Sequence, residues 1–148
     1  MCDGIDEMRP ADVGAVTALW EQAGMWPHVG EDQGWLKRAV ERNAGCALVW
    51  REEGRVVGTV IGAWDGLRGW IYRLVVAEEH QGGGIGTSLL RAAEARLRTM
   101  GVKQINLMVY EESPAAEAFY ARRGYERSPV KVMRKRSSGH GTEGAVTA

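Results

Sequence analysis

The chain has 148 residues, 45% of them hydrophobic and 26% charged, which is the balance of one soluble globular domain rather than of a disordered or two-domain chain. Lys plus Arg and Asp plus Glu both total 19, so the basic excess that a broad nucleic-acid surface requires is missing. No basic-then-apolar leader and no apolar run near the ~20 residues of a membrane span occurs, so a cytoplasmic protein without membrane association is expected.

In chain order, residues 4–8 suit a short first strand. Arg9-Pro10-Ala11-Asp12 then opens a helix with Val13, Val16, Leu19 and Trp20 at helical spacing, and Gly24 ends it. A second helix is predicted over 31–42, with Trp35, Leu36, Ala39 and Val40 as its apolar stripe. The loop between the two carries the large side chains of Met25 and Trp26. Strands at 46–51 and 55–64 flank the hairpin signal Glu52-Glu53-Gly54. A second turn, Asp65-Gly66-Leu67-Arg68-Gly69, leads to a strand at 70–77 rich in β-branched and aromatic residues.

Glycines 82, 83, 84 and 86 follow, and then a helix whose stripe is Ile85, Leu89, Leu90, Ala93, Leu97 and Met100. Arg91, Glu94 and Arg98 face outward, and Gly101 closes the helix. A strand at 103–110 is followed by Ser113-Pro114, an N-cap-then-Pro signature, and that helix ends at Gly124. Residues 125–136 are expected to supply one or two final strands, their Lys131-Val-Met-Arg134-Lys135-Arg136 run being a solvated edge. The order β-α-α-β-β-β-α-β-α-β describes an α+β sandwich around a mixed sheet, in a single domain at 1–136. Residues 137–148 are small, polar and Gly-rich, and read as a flexible tail. Cys2 and Cys46 and the scattered His28, His80 and His140 show neither metal-ligand spacing nor a disulfide framework, so no metal is expected.

The informative segment is Leu74-Val-Val76-Ala-Glu-Glu-His-Gln81-Gly-Gly-Gly84-Ile-Gly86-Thr87. It delivers a strand, through a Gly-rich turn, directly onto a helix N-terminus. Glycines let backbone N–H groups approach an anion, and the helix start adds unused donors and the positive end of its dipole. A Walker loop would need Lys before Thr87, and a dinucleotide fold would place the turn after the first strand with an acid on the next. Neither holds. A tight loop that merely packs closely is the plain alternative.

Gln81-x-x-Gly84-x-Gly86 resembles the Gln/Arg-x-x-Gly-x-Gly/Ala fingerprint of the GCN5-related N-acetyltransferases, and the likeness extends over about residues 47–135. It includes Val56-Val-Gly58 and Ala118-Phe119-Tyr120-x-x-x-Gly124-Tyr125, and the Asp65–Gly69 turn looks closest to small stand-alone bacterial members. The resemblance implies a mostly antiparallel mixed sheet with helices on both faces, an α/β/α sandwich. It also implies acetyl-CoA as co-substrate and an amine acceptor, on a small molecule or a protein. Leu74, Val75 and Val76 would pair with the pantetheine arm, and the N–H near Val76 would hold the thioester oxygen. Gln81, Gly82, Gly83, Gly84, Ile85, Gly86 and Thr87 would wrap the pyrophosphate. Ser113 would touch the coenzyme or cap its helix, and Tyr120 would protonate the departing thiolate. Phe119, about 100° around the helix from Tyr120, is read as core.

The resemblance does not identify the general base. Members acting on ribosomal-protein N-termini carry a Glu where this chain has Met108, and histone-type members carry one where it has Trp70. Tyr72, Asp65, Glu111 and Glu112 remain as candidates for proton relay. Trp26 and Tyr72 are read as lining the acceptor site, whereas Trp20, Trp35 and Trp50 are read as core. Arg68 is read as a solvated turn residue or a receiver of an acidic group. A sensor that binds acyl-CoA without catalysis, or a transferase with a longer acyl donor, are the alternative readings. Pairing of family members through C-terminal strands admits a homodimer, although the charges there would equally protect an exposed edge.

Overall fold

A computed structural model describes residues 3–25 and 34–137. They fall into two compact units, 3–25 with 34–107 and 108–137. Trp26, Cys2, His28, His140 and the tail from 138 onward lie outside the described residues.

The larger unit is a sheet of β1 (Gly4–Glu7), β2 (Ala47–Glu52), β3 (Arg55–Trp64), β4 (Gly69–Val76) and β5 (Ile105–Leu107), in that spatial order. Every neighbouring pair is antiparallel except β4 with β5, which are parallel. The β2–β3 turn is tight because Glu53 and Gly54 both take positive φ, 50° and 77°, the combination that matches strand twist in a two-residue hairpin. A 3₁₀ turn at Pro10–Asp12 precedes α1 (Val13–Gln22), and α2 is Trp35–Arg42. The long α3 is Ile85–Thr99. Among the described residues no helix is long and apolar enough to cross a membrane.

Consecutive strand residues point to opposite faces of a sheet, and β3 shows how the two faces are used. Gly58 and Gly62 lie under α3: a Cβ at Gly58 would stand 3.0 Å from Leu89 Cδ1, and one at Gly62 would stand 3.5 Å from Leu97 Cδ1. Gly69 on β4 is equally tight against Leu97 and Val102, at 3.0 Å to each. These glycines let α3 settle close to the sheet through Leu89, Leu90, Ala93 and Leu97, all buried. Between the two β3 glycines, Thr59 points the other way, where Trp20 of α1 meets it. The sheet therefore carries helices on both faces, as expected for an α/β/α sandwich.

Arg51 ties the N-terminal strands together. It donates to Asp6 Oδ2 at 3.0 Å and to both oxygens of Asp12 at 2.9 and 3.0 Å. The Arg51 hydrogen bond draws the Asp6 carboxyl below its ordinary range. Burial alone pushes Asp12 up, but Arg51 and the Arg9 N–H and charge together bring it below its ordinary value.

The smaller unit contains α4 (Pro114–Ala121), followed by a turn that closes on Gly124 at a φ of 94°. The strands expected over 125–136 do not form: no described residue beyond Ala121 is in a helix or strand. The alternation Val130-Lys131-Val132 is present, but both valines are exposed. An alternating pattern becomes a strand only where a partner supplies hydrogen bonds, so the basic run is an exposed loop rather than a sheet edge. The strand expected over 103–110 is likewise cut to three residues, and Met100 caps α3 at 39% exposure instead of joining its buried stripe.

Candidate active site

β4 carries the central irregularity. Thr59 pairs with Val75 and Ile61 with Tyr72, so Arg73 and Leu74 together stand opposite the single residue Val60. This is a β-bulge, and Arg73 takes a φ of 53° to make it. A non-glycine residue in that left-handed region costs about 1–2 kcal/mol, so surrounding contacts must hold it.

The Thr59 hydroxyl donates to the Arg73 carbonyl at 2.9 Å and accepts from Trp20 Nε1 at 3.0 Å. The Arg73 guanidinium lies 4.9 Å from the Trp20 ring centroid and 5.5 Å from that of Trp35, two indoles stacked at 5.7 Å. Trp20 is buried core as expected. Its polar edge, with Thr59 and the bulge, was invisible in the sequence, because no Gly, Pro or Asn marks Tyr72-Arg73-Leu74 as irregular.

Beyond the bulge the strand has no strand partner on the β5 side among the described residues. β4 pairs with β5 only at Gly69, Trp70 and Ile71, so the two strands part company before Val76. On the β3 side, Ala77 N donates to Val57 O at 2.8 Å. The Gly58–Val76 pair is therefore of the non-hydrogen-bonded kind, and the N–H and C=O of Val76 project away from β3. The Val76 carbonyl accepts from Gln81 Nε2 at 3.0 Å, so the Gln81 side chain folds back and braces the strand end against the turn.

After a 3₁₀ turn at Glu78–His80 come Gly82 and Gly84, with φ of 86° and 89°. A Cβ at either position would meet nothing within 4 Å. Close packing therefore does not explain these glycines; the backbone conformation does, and it leaves open space in front of the turn. The first bond inside α3 runs from Ser88 N to Gly84 O at 3.0 Å, so the N–H groups of Ile85 and Gly86 precede the helix's own bonding and point out of its N-terminus. The Ile85 side chain is buried, and only its backbone can serve a ligand. A run of donors at a positive helix end, behind a Cβ-free turn, suits a phosphate-bearing group, so the residues present fit the pyrophosphate expected there.

Around the β3–β4 turn, Asp65 Oδ1 accepts from the N–H groups of Leu67 and Arg68, and Oδ2 accepts from Trp70 Nε1 at 3.1 Å. The Arg68 N–H, then that of Leu67 and the Trp70 indole, hold the Asp65 carboxyl below its ordinary value. A carboxylate so stabilised is a weaker proton acceptor, and its three hydrogen bonds brace the turn. Tyr72 stacks on Trp70 at 6.4 Å and stays half-exposed. Burial, and secondarily the Asp65 charge, push its phenol up, so it is neutral near pH 7.

In the smaller unit, Tyr120 is packed edge-on against Phe119 at 5.2 Å and Tyr125 at 5.7 Å. Burial pushes its phenol above the ordinary value. Phe119 is covered by the Arg123 guanidinium at 3.7 Å. Ser113 holds the N-cap position of α4, but its side chain makes no capping hydrogen bond; its carbonyl accepts from Glu117 N at 3.2 Å. Glu111 and Glu112 are exposed.

Strands β2 to β5, α3 and the glycine turn lie within one family match, which gives the class of enzyme. Residues 6–125 match the Acetyltransferase (GNAT) family, and the chain belongs to that family. Ard1 from Thermoplasma volcanium superposes with a TM-score of 0.77 at 20% identity, over 86% of this chain and 85% of that one. The ribosomal-protein-S18-alanine N-acetyltransferase of Escherichia coli gives 0.74 at 20% identity, over 86% and 79%. PaiA N-acetyltransferase from Thermoplasma acidophilum, in complex with coenzyme A, gives 0.75 at 17% identity, over 88% and 94%. At such identities the likeness to these structures is one of fold.

Proposed function

We propose that the protein transfers the acetyl group of acetyl-CoA to an amine by direct attack, and that residues 1–136 work as one acetyltransferase domain. The observation that carries this is the continuous run from the outward N–H of Val76, through the positive-φ Gly82 and Gly84, to the N-terminal turn of α3. Acetyl-CoA supplies the activated acyl group. Leu74, Val75 and Val76 hold the pantetheine arm as an added strand along the open edge of β4. The turn from Gln81 to Gly84 and the N–H groups of Ile85, Gly86 and Thr87 hold the pyrophosphate, and Ser113 adds a hydroxyl contact.

The Val76 N–H donates to the thioester oxygen, where negative charge gathers as the amine attacks. A carbon–nitrogen bond forms, the carbon–sulfur bond breaks, and Tyr120 gives its proton to the departing sulfur. Burial keeps the phenol protonated until then. The proton that the amine gives up passes to water, and water returns one to the Tyr120 phenolate. Tyr72 lines the acceptor side, and Trp26 is assigned there from the sequence alone.

Isothermal titration with acetyl-CoA, followed by thiol release against a panel of amines, tests this reading. Binding with release for one amine class supports transfer and identifies the acceptor class. Binding without release across the panel favours a sensor, and absence of binding removes the reading.

A further inference from the structure

We propose that Thr59, backed by Trp20, is a positioning residue that fixes the β4 bulge and thereby aims the Val76 N–H out of the sheet. This rests on the acyl-transfer reading and adds to it a pair of residues outside the coenzyme-binding turn. Backbone groups of a strand alternate in direction, so one extra residue reverses the direction of every group after it. The extra residue at Arg73–Leu74 decides that Val76 faces outward; a regular ladder from Tyr72 onward would turn the Val76 N–H toward β3.

At the bulge the Arg73 carbonyl accepts from a side chain, the Thr59 hydroxyl at 2.9 Å. The direction of the chain of bonds is set by chemistry. An indole N–H can only donate and a carbonyl can only accept, so Trp20 gives to Thr59 and Thr59 gives to Arg73. Thr59 is 0% exposed, so its hydroxyl is shielded from bulk solvent, and its own backbone pairs with Val75, one residue from the outward N–H. The two indoles against the Arg73 guanidinium hold the same residue by its side chain.

The test uses the full chain as Thr59→Val, which keeps the shape and removes the hydroxyl, with Thr59→Ser and Trp20→Phe beside it. In the unliganded protein, Thr59→Val should move the amide NMR signals of residues 73–76 and speed their hydrogen exchange at least tenfold. Signals of 89–97 should stay in place, and Thr59→Ser should resemble the wild type. With acetyl-CoA labelled with carbon-13 at the thioester carbonyl, wild type and Thr59→Ser should lower the infrared carbonyl stretch on binding. Thr59→Val should bind with the stretch near its free position, and Trp20→Phe should fall between.

A merely structural Thr59 would lower the melting temperature and leave the bound stretch as in wild type; that result overturns the proposal while acyl transfer stands. Unmoved amides in Thr59→Val overturn it as well. If Thr59→Val does not fold, the bound stretch of Trp20→Phe decides: an unchanged stretch overturns the proposal. Wild type that binds no acetyl-CoA overturns the acyl-transfer reading itself, and this proposal with it.

Discussion

Tyr120 and Asp65 show how surroundings sort titratable side chains into different work. Tyr120 is a phenol that burial keeps protonated, which suits a proton donor to a thiolate. Tyr120→Phe should leave acetyl-CoA affinity within a factor of two by calorimetry, while steady-state turnover falls by about 10²–10⁴. Because its pKa is raised, the phenol stays protonated across neutral pH, so any alkaline loss from its ionisation should set in at higher pH than for an ordinary phenol. Asp65 is an anion committed to two backbone N–H groups and an indole. Asp65→Ala should lower the melting temperature and leave the acid limb of the pH–rate profile unchanged; a lost limb would restore Asp65 as the base.

The turn between β4 and α3 separates backbone demand from ligand clearance at the scale of an element. Gly82 and Gly84 both need positive φ, and Ala in that region costs about 1–2 kcal/mol. Gly84→Ala should therefore lower thermal stability by that amount and weaken acetyl-CoA binding together. Gly83 takes no positive φ, and the nearest atom to a Cβ there is His80 O at 3.9 Å. Gly83→Ala should keep its melting temperature; a tenfold weaker affinity in the same protein would show that the coenzyme lies against that Cβ.

The elements themselves were legible where turn chemistry bracketed them. β3 runs from Arg55 to Trp64 because Glu53-Gly54 and Asp65-Gly66 close both its ends. Legibility failed where the outcome depended on a distant partner. Ile105-Asn-Leu107-Met-Val-Tyr110 keeps a strand-like composition well beyond the three residues that pair with β4, and composition does not tell where a neighbour diverges. The bulge at Arg73 depends on Thr59 and on Trp20, which lies 39 residues from Thr59, and nothing in its own segment announces it. The Gly-rich turn was readable because its demands are local; the strand that presents the Val76 N–H was readable only as a strand.

For the whole molecule, the Arg51 network is the clearest source of pH-dependent stability. Asp6 and Asp12 both have folded pKa values below their ordinary ones. Their contribution is therefore complete above the unfolded carboxylate value and fades as pH falls through the lower folded values. Arg51→Met should cost about 2–3 kcal/mol at pH 7 in urea unfolding. The gap to wild type should narrow below about pH 4 as both carboxylates take up protons.

The brief pairing of β4 with β5 has a consequence for self-association. Past Ile71, β4 has no strand partner on the β5 side among the described residues. An apolar strand edge without a neighbouring strand is a template that another chain can extend, the usual beginning of sheet-mediated clumping. A ligand laid along that edge would act as a chaperone for it. Light scattering during mild heating should show coenzyme A delaying aggregation beyond what its effect on the melting temperature accounts for, and Lys in place of Leu74 should give the same delay with no ligand present.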